Sequence, residues 1–180
     1  MIKITYFVHG TTTDNENDIA TGWEAGELSE LGIQQSKDLT AQIGNQQFDA
    51  VFCSDLKRAV DSARLTFGDD YQIITDERLR ECNYGDFNGK PDSFKSDPKQ
   101  FIEQAFPNGE SYTDVETRVK NFLDFLKKDY DGKHIAIVAH QAPQLALEVL
   151  LGGKTWPQAI DQDWRHTKTW QPGWKYVLKY

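Results

Sequence analysis

The stretch HIAIVAHQAP, residues 134–143, runs from an unbroken apolar segment into a histidine and then into a helical pattern. An apolar segment without polar alternation is typical of a strand that is buried on both faces of a sheet. The segment IKITYF, residues 2–7, has the same character and ends shortly before His9. The sequence therefore predicts two buried strands, each with a histidine close to its carboxyl end.

Strands and helices alternate along the rest of the chain. Strands are predicted at residues 49–53 and 72–75, and helices at residues 29–43, 55–67, 112–128 and 143–151. Ser111 and Asp114 resemble a capping box ahead of the helix at 112–128. This alternation predicts an α/β fold, a three-layer sandwich with a mostly parallel central sheet flanked by helices. Because 180 residues, 38% of them hydrophobic, can fill one core, residues 1–180 are expected to form a single domain.

Composition excludes several classes of function. The net charge of −8 argues against nucleic acid as a partner, since a protein that binds the phosphate backbone needs a dense basic face. No apolar run approaches the roughly 20 residues that cross a bilayer, so no membrane partner and a cytoplasmic location are expected. Cys53 and Cys82 lack metal-ligand spacing and are expected to be reduced thiols. The sequence does not indicate an oligomeric state.

Polar residues follow three of the predicted strands. In an open α/β sheet the loops at the carboxyl ends of the strands line the ligand crevice. His9, Arg58 and His140 lie on three such exits and are expected to converge there. The backbone N–H groups near Gln141 and Ala142, at the start of a helix, are also expected to face an anion. Together these features favour phosphate or carboxylate as the ligand.

Five segments, in this order, resemble the histidine phosphatase superfamily, whose fold is the phosphoglycerate-mutase-like one. They are VHG at residues 8–10 with Thr12 and Asn15, CSDLKRAVDSA at 53–63, ERLRECNYGDFNG at 77–89, GESYTDVETRV at 109–119 and AHQAP at 139–143. Each motif is weak alone, but five in the family's order are a specific signal. The resemblance extends over nearly the whole chain.

The resemblance implies a metal-independent phosphatase that needs no cofactor and hydrolyses a small phosphomonoester through a phosphohistidine. It implies that His9 is the nucleophile, Glu81 the proton donor and His140 a further catalytic group. It assigns phosphate binding to Arg58, and the pocket could also include Thr12, Asn15, Thr21 and Gly22. These residue types suit the chemistry, because a neutral imidazole is nucleophilic near pH 7, an arginine fork binds two phosphate oxygens, and a carboxylic acid can protonate the leaving oxygen.

Val8 departs from the family, whose motif is Arg-His-Gly. Loss of one aligned charge-stabilising donor typically costs about 10²–10³ in rate. Three consequences stay open. A cation such as Arg165 or Lys168 replaces the missing arginine, the enzyme is slow or prefers another phosphate ester, or catalysis is lost. The rival function is therefore a weak or inactive member that binds a phosphorylated ligand or a protein partner. Gln141, where the family has glycine, is a second departure. A phosphomutase is less favoured, because the extra substrate-binding segments of the family's mutases are not found here.

Overall fold

A computed structural model describes residues 1–169 and 171–179, without the side chain of Lys95. The strands are β1 (Ile2–Val8), β2 (Ile19–Ala20), β3 (Ala50–Cys53), β4 (Ile73–Thr75), β5 (Lys90–Pro91), β6 (His134–Ala139) and β7 (Trp174–Leu178). The helices are α1 (Thr13–Glu16), α2 (Glu30–Ile43), α3 (Lys57–Phe67), α4 (Tyr112–Asp129), α5 (Gln141–Leu150), α6 (Trp156–Asp161) and α7 (Trp164–Thr167). No helix in these two ranges is long and apolar enough to cross a membrane.

The central sheet has five strands in the order β4-β3-β6-β1-β7. The first four are parallel to one another, and β7 is antiparallel to β1 at the edge. The predicted mostly parallel sheet is therefore confirmed. β7 was not predicted from the sequence, because only Tyr176 and Leu178 are buried in it while Val177 is exposed. Such a short, one-sided strand carries little apolar signal.

Side chains of the central strands alternate between two apolar layers. On one face, Ile135 and Ile137 of β6 pack in a cluster with residues of α4 and α5. On the other face, Ala136 and Val138 pack in a cluster with residues of α2 and α3. The predicted three-layer sandwich follows from this alternation, since each face of a buried sheet needs its own cover of helices.

The helix starts differ from the predictions by up to two residues. The helix predicted at 143–151 begins at Gln141, with His140 as its N-cap residue. Pro143 lies within the first turn, where its missing N–H has no partner inside the helix anyway. The predicted capping box is confirmed, because the Ser111 hydroxyl accepts a hydrogen bond from the Asp114 N–H and the Asp114 carboxylate accepts one from the Ser111 N–H.

Candidate active site

His9 and His140 lie side by side because of the register of two strands. β1 and β6 are parallel neighbours, and Val8 pairs with Ala139. The next residue on each strand is a histidine, and the His9 N–H donates to the Ala139 carbonyl over 3.1 Å. The two imidazole rings meet edge to face with their centroids 5.0 Å apart. The predicted convergence of these two histidines is thus present in the structure.

The tautomer of His9 follows from its neighbours. Nδ1 of His9 lies 2.7 Å from the Gly10 carbonyl oxygen, which can only accept, so Nδ1 carries the proton. Nε2 then has a free lone pair. Burial lowers the pKa of His9 to about 3, and the charges of Arg58 and Arg165 contribute in the same direction. His9 is therefore a neutral imidazole at physiological pH with one nitrogen able to attack an electrophile.

His140 is fully buried, and its backbone is fixed by Tyr6. The Tyr6 hydroxyl donates to the His140 carbonyl over 2.6 Å and accepts from the His140 N–H over 2.9 Å. Neither ring nitrogen of His140 has a hydrogen-bond partner among the residues that the structure describes. Burial, followed by the charge of Arg58, holds the pKa of His140 well below its ordinary value. Its imidazole is neutral and can donate one hydrogen bond to a ligand.

Arg58 lies at the second position of α3 and is only 2% exposed. Its terminal nitrogens donate to the Gly22 carbonyl over 2.7 Å and to the Glu24 carbonyl over 3.0 Å. Burial lowers the pKa of Arg58, and the negative charge of Glu81 opposes that effect. The positive charge of Arg58 is the second largest cause, after burial, of the lowered pKa of both His9 and His140. A buried cation beside two neutral imidazoles favours an anionic ligand.

Glu81 binds the start of α5, and this changes one expectation. Its Oε1 accepts hydrogen bonds of 2.9 Å from the N–H groups of Cys82 and Ala142, and its Oε2 accepts one of 3.2 Å from Gln141. The N–H groups of Gln141 and Ala142, expected to face a bound anion, instead face this side chain. The prediction of an anion site at this helix start is wrong in the structure, because a protein carboxylate already satisfies these donors. The same contacts hold the Glu81 carboxyl group beside His140.

The sequence profile described as the histidine phosphatase superfamily (branch 1) matches residues 6–171. The chain belongs to this superfamily. The family resemblance predicted from the five motifs is thereby confirmed.

Relatives in this superfamily include both phosphatases and mutases. The chain is 26% identical over 163 residues to phosphoserine phosphatase 1 of Hydrogenobacter thermophilus, an alignment that covers 85% of this chain and 77% of the relative. It is 29% identical over 164 residues to a 2,3-bisphosphoglycerate-dependent phosphoglycerate mutase of Methylorubrum populi, with coverages of 82% and 77%. The crystal structure of the alpha-ribazole phosphatase from Shigella flexneri matches with a TM-score of 0.77 and 26% identity, covering 87% of this chain and 83% of that one.

Thr12, Asn15 and Thr21 are engaged in local contacts in this histidine phosphatase fold. The Thr12 hydroxyl accepts a hydrogen bond from the Asn15 N–H, and the Thr12 N–H donates to the Asn15 side-chain oxygen, both over 3.0 Å. This pair is a capping box at the start of α1. The Thr21 hydroxyl donates to Asp14 over 2.8 Å. These contacts shape the loops beside Arg58, and phosphate binding by these residues and by Gly22 stays a prediction.

Three positioning residues in this superfamily site were missed by the sequence analysis. Besides Tyr6, Arg118 of α4 donates to the Glu81 carbonyl over 2.9 Å, and the Trp23 indole N–H donates to the same oxygen over 2.7 Å. Arg118 lies in one of the five segments that carry the family resemblance and Trp23 does not, and both contact a backbone oxygen. A sequence pattern shows which side chains are present but not which backbone atoms they contact. Only the folded structure therefore identifies Arg118 and Trp23 as positioning residues.

Val8 contributes an apolar side chain at the end of β1. It is half-buried and lines a cavity of about 490 Å³ together with His9, Gln35 and Trp164. A valine cannot donate to phosphate, so the site contains Arg58 but not the family's second arginine at this strand end. Within the described ranges, no cluster of three or more His, Cys, Asp or Glu side chains could hold a metal ion. The expected independence of metal stays a prediction.

Proposed function

We propose that the chain is a metal-independent phosphatase that hydrolyses a small phosphomonoester through a phosphohistidine on His9. The observation that carries this proposal is the pairing of His9 and His140 at the ends of β1 and β6. His9 presents an unprotonated Nε2, and the centroid of its ring lies 5.0 Å from that of the buried His140 ring. Neither ring nitrogen of His140 has a hydrogen-bond partner among the residues that the structure describes. A buried polar group without a protein partner is normally satisfied by a ligand or by water. A phosphoryl oxygen beside both rings fits these requirements.

Each proposed role follows from a position in the site. His9 Nε2 attacks phosphorus, and the bond from phosphorus to the ester oxygen breaks. Arg58 neutralises charge on the transferred group, and His140 donates a hydrogen bond to it. Glu81 gives a proton to the leaving oxygen. In the second step Glu81 takes a proton from water, the water oxygen bonds to phosphorus, and the bond between nitrogen and phosphorus breaks.

A second candidate is a member that binds a phosphorylated ligand without turning it over. Val8 favours this candidate, because it removes a donor that stabilises the transferred phosphate in the family. The relatives point to phosphatases and to a phosphoglycerate mutase, and a mutase would return the phosphoryl group to a second hydroxyl instead of water. Free phosphate as the product separates the phosphatase from both alternatives.

The test is release of inorganic phosphate in the presence of EDTA from p-nitrophenyl phosphate, phosphoserine and a panel of sugar and nucleotide monophosphates. His9→Ala removes the nucleophile, and His134→Ala is the matched control at the opposite end of β6. Turnover that persists in EDTA and in the control, and is lost in His9→Ala, is the expected result. Turnover that survives in His9→Ala, or stops in EDTA, contradicts the proposed function.

A further inference from the structure

The segment between α6 and α7 is anchored to the start of α5. The Gln141 side-chain amide donates to Asp163 Oδ2 over 2.5 Å. The side chain of Asp163 is only 1% exposed. Gln141 directly follows His140, so this contact fixes Asp163 next to the histidine pair. Gln141 is also the position where the sequence departs from the family's glycine, and a glycine has no side chain that could make this contact.

Asp163 in turn orients Arg165. One terminal nitrogen of Arg165 donates to the two Asp163 oxygens over 3.0 and 3.3 Å, and the same nitrogen lies 3.5 Å from the Gln144 side-chain oxygen. The guanidinium also stacks on the Trp164 ring, 4.4 Å from its centroid. In the part of the chain that the structure describes, Nε and the other terminal nitrogen of Arg165 make no hydrogen bond. These two donors form one edge of the fork, which is the edge that binds an oxyanion bidentately.

Two observations connect Arg165 with the histidine pair. Trp164, on which it stacks, lines the same cavity as Val8 and His9. Its charge adds to the lowering of the His9 pKa, after burial and the charge of Arg58. It also adds to the lowering of the His140 pKa, where burial, Arg58, His9 and Arg118 contribute more. Lys168, the other candidate cation of this segment, is exposed at the end of α7. Of these two cations, Arg165 is the one that hydrogen bonds connect, through Asp163 and Gln141, to the residue that follows His140.

We propose that Arg165 is the second phosphate-binding arginine of this site, in place of the arginine absent at Val8, and that Asp163 and Gln141 are its positioning residues. This inference rests on the proposed function for its catalytic consequence but not for phosphate binding. It accounts for both departures from the family together. With Val8, the end of β1 lacks the family's guanidinium group. With Gln141, the start of α5 gains an amide that holds Asp163, and Asp163 in turn holds the guanidinium group of Arg165 in α7.

The test compares wild type with Arg165→Met, Val8→Arg and the double variant, with Lys168→Met as the matched control. Affinity for inorganic phosphate is measured by titration calorimetry, and kcat/KM is measured with p-nitrophenyl phosphate and with phosphoserine. Arg165→Met should weaken phosphate binding by about tenfold or more and lower kcat/KM for both substrates by about 10²–10³. Val8→Arg should restore most of this loss in the double variant and add much less to wild type. Lys168→Met should match wild type.

The positioning role has its own readout. Gln141→Leu removes the donor to Asp163 while keeping a side chain of similar size, and it should lower kcat/KM in wild type. The same substitution should have little effect in the double variant, where the arginine at position 8 no longer depends on Asp163. Arg165→Ala should also regain activity on addition of guanidinium ion at concentrations that do not unfold the protein, which separates loss of the cation from misfolding.

Several outcomes overturn the inference. They are wild-type phosphate affinity in Arg165→Met, an equal gain from Val8→Arg in both backgrounds, and a loss confined to phosphoserine, which would assign Arg165 to the substrate carboxylate. Phosphate affinity that depends on Arg165 in a protein without turnover would overturn the proposed function and support this inference. Turnover that depends on His9 but not on Arg165 would support the proposed function and overturn this inference.

Discussion

Glu81 Oε1 accepts a hydrogen bond of 2.9 Å from the N–H of Ala142 at the start of α5. A side chain from the segment after β4 thus occupies donors that in many phosphate-binding proteins face the ligand itself. In the proposed mechanism, phosphate binding would therefore depend on the side chains of the two histidines and of arginine, with the Glu81 carboxyl group held beside His140.

Glu81→Gln should reduce activity more for a substrate whose leaving group needs a proton than for one whose leaving group does not. Glutamine cannot supply a proton, so kcat/KM for phosphoserine, whose alkoxide needs one, should fall by about 10²–10⁴. p-Nitrophenyl phosphate releases a stable phenolate and should be affected much less. Glu77→Gln, whose side chain is 77% exposed, is the control and should behave as wild type. Equal losses on both substrates would assign Glu81 a purely structural role at α5.

A phosphoenzyme should be trapped on His9. Quenching wild type during turnover of a ³²P-labelled substrate should yield protein-bound label that is stable in alkali and labile in acid, as expected for a phosphorus–nitrogen bond. Glu81→Gln should accumulate more label with p-nitrophenyl phosphate, because it lacks the base for the second step. His134→Ala should label normally. Label that remains in His9→Ala would place the nucleophile elsewhere.

The sequence predicts the buried half of this fold well. The four parallel strands and the helices that cover them carry strong apolar patterns, and their bounds agree with the structure to within two residues. The register that brings His9 beside His140 was not readable, because strand pairing depends on the whole sheet. β7 was missed for a different reason. Only one of its faces is buried, which leaves too few apolar residues to identify it as a strand.

The site was predicted at the level of residues and not of contacts. Motif order placed His9, Arg58, Glu81 and His140 together, and the strand exits gave an independent reason for three of them. The helix-start donors were assigned to a ligand, whereas Glu81 binds them, because the sequence cannot show which acceptor reaches a free N–H group. The sequence offered Arg165 as one of two cations, because the contacts of Arg165 with Asp163, and of Asp163 with Gln141, are tertiary and cannot be read from it.

The lowered pKa of His9 should appear in the pH dependence of stability. Between the folded pKa of about 3 and the unfolded value of about 6.5, the unfolded chain binds a proton that the folded chain does not. Stability in this window therefore falls as pH falls. From about pH 7.5 to about pH 5, wild type should lose about 2 kcal/mol more than His9→Gln, measured by urea unfolding at each pH. Parallel losses in the two proteins would contradict the assigned protonation state.

Arg58→Lys tests whether one buried cation serves both a loop and the ligand. Two nitrogens of Arg58 hold the Gly22 and Glu24 carbonyls, and a lysine, with a single ammonium, cannot reproduce this geometry. We expect faster amide hydrogen exchange in residues 20–26 and a loss of phosphate affinity of about tenfold or more. The control is Arg64→Lys, an exposed position on α3. Faster exchange with unchanged phosphate affinity would reduce Arg58 to a loop anchor, and Arg165 would then be the principal guanidinium facing the phosphate.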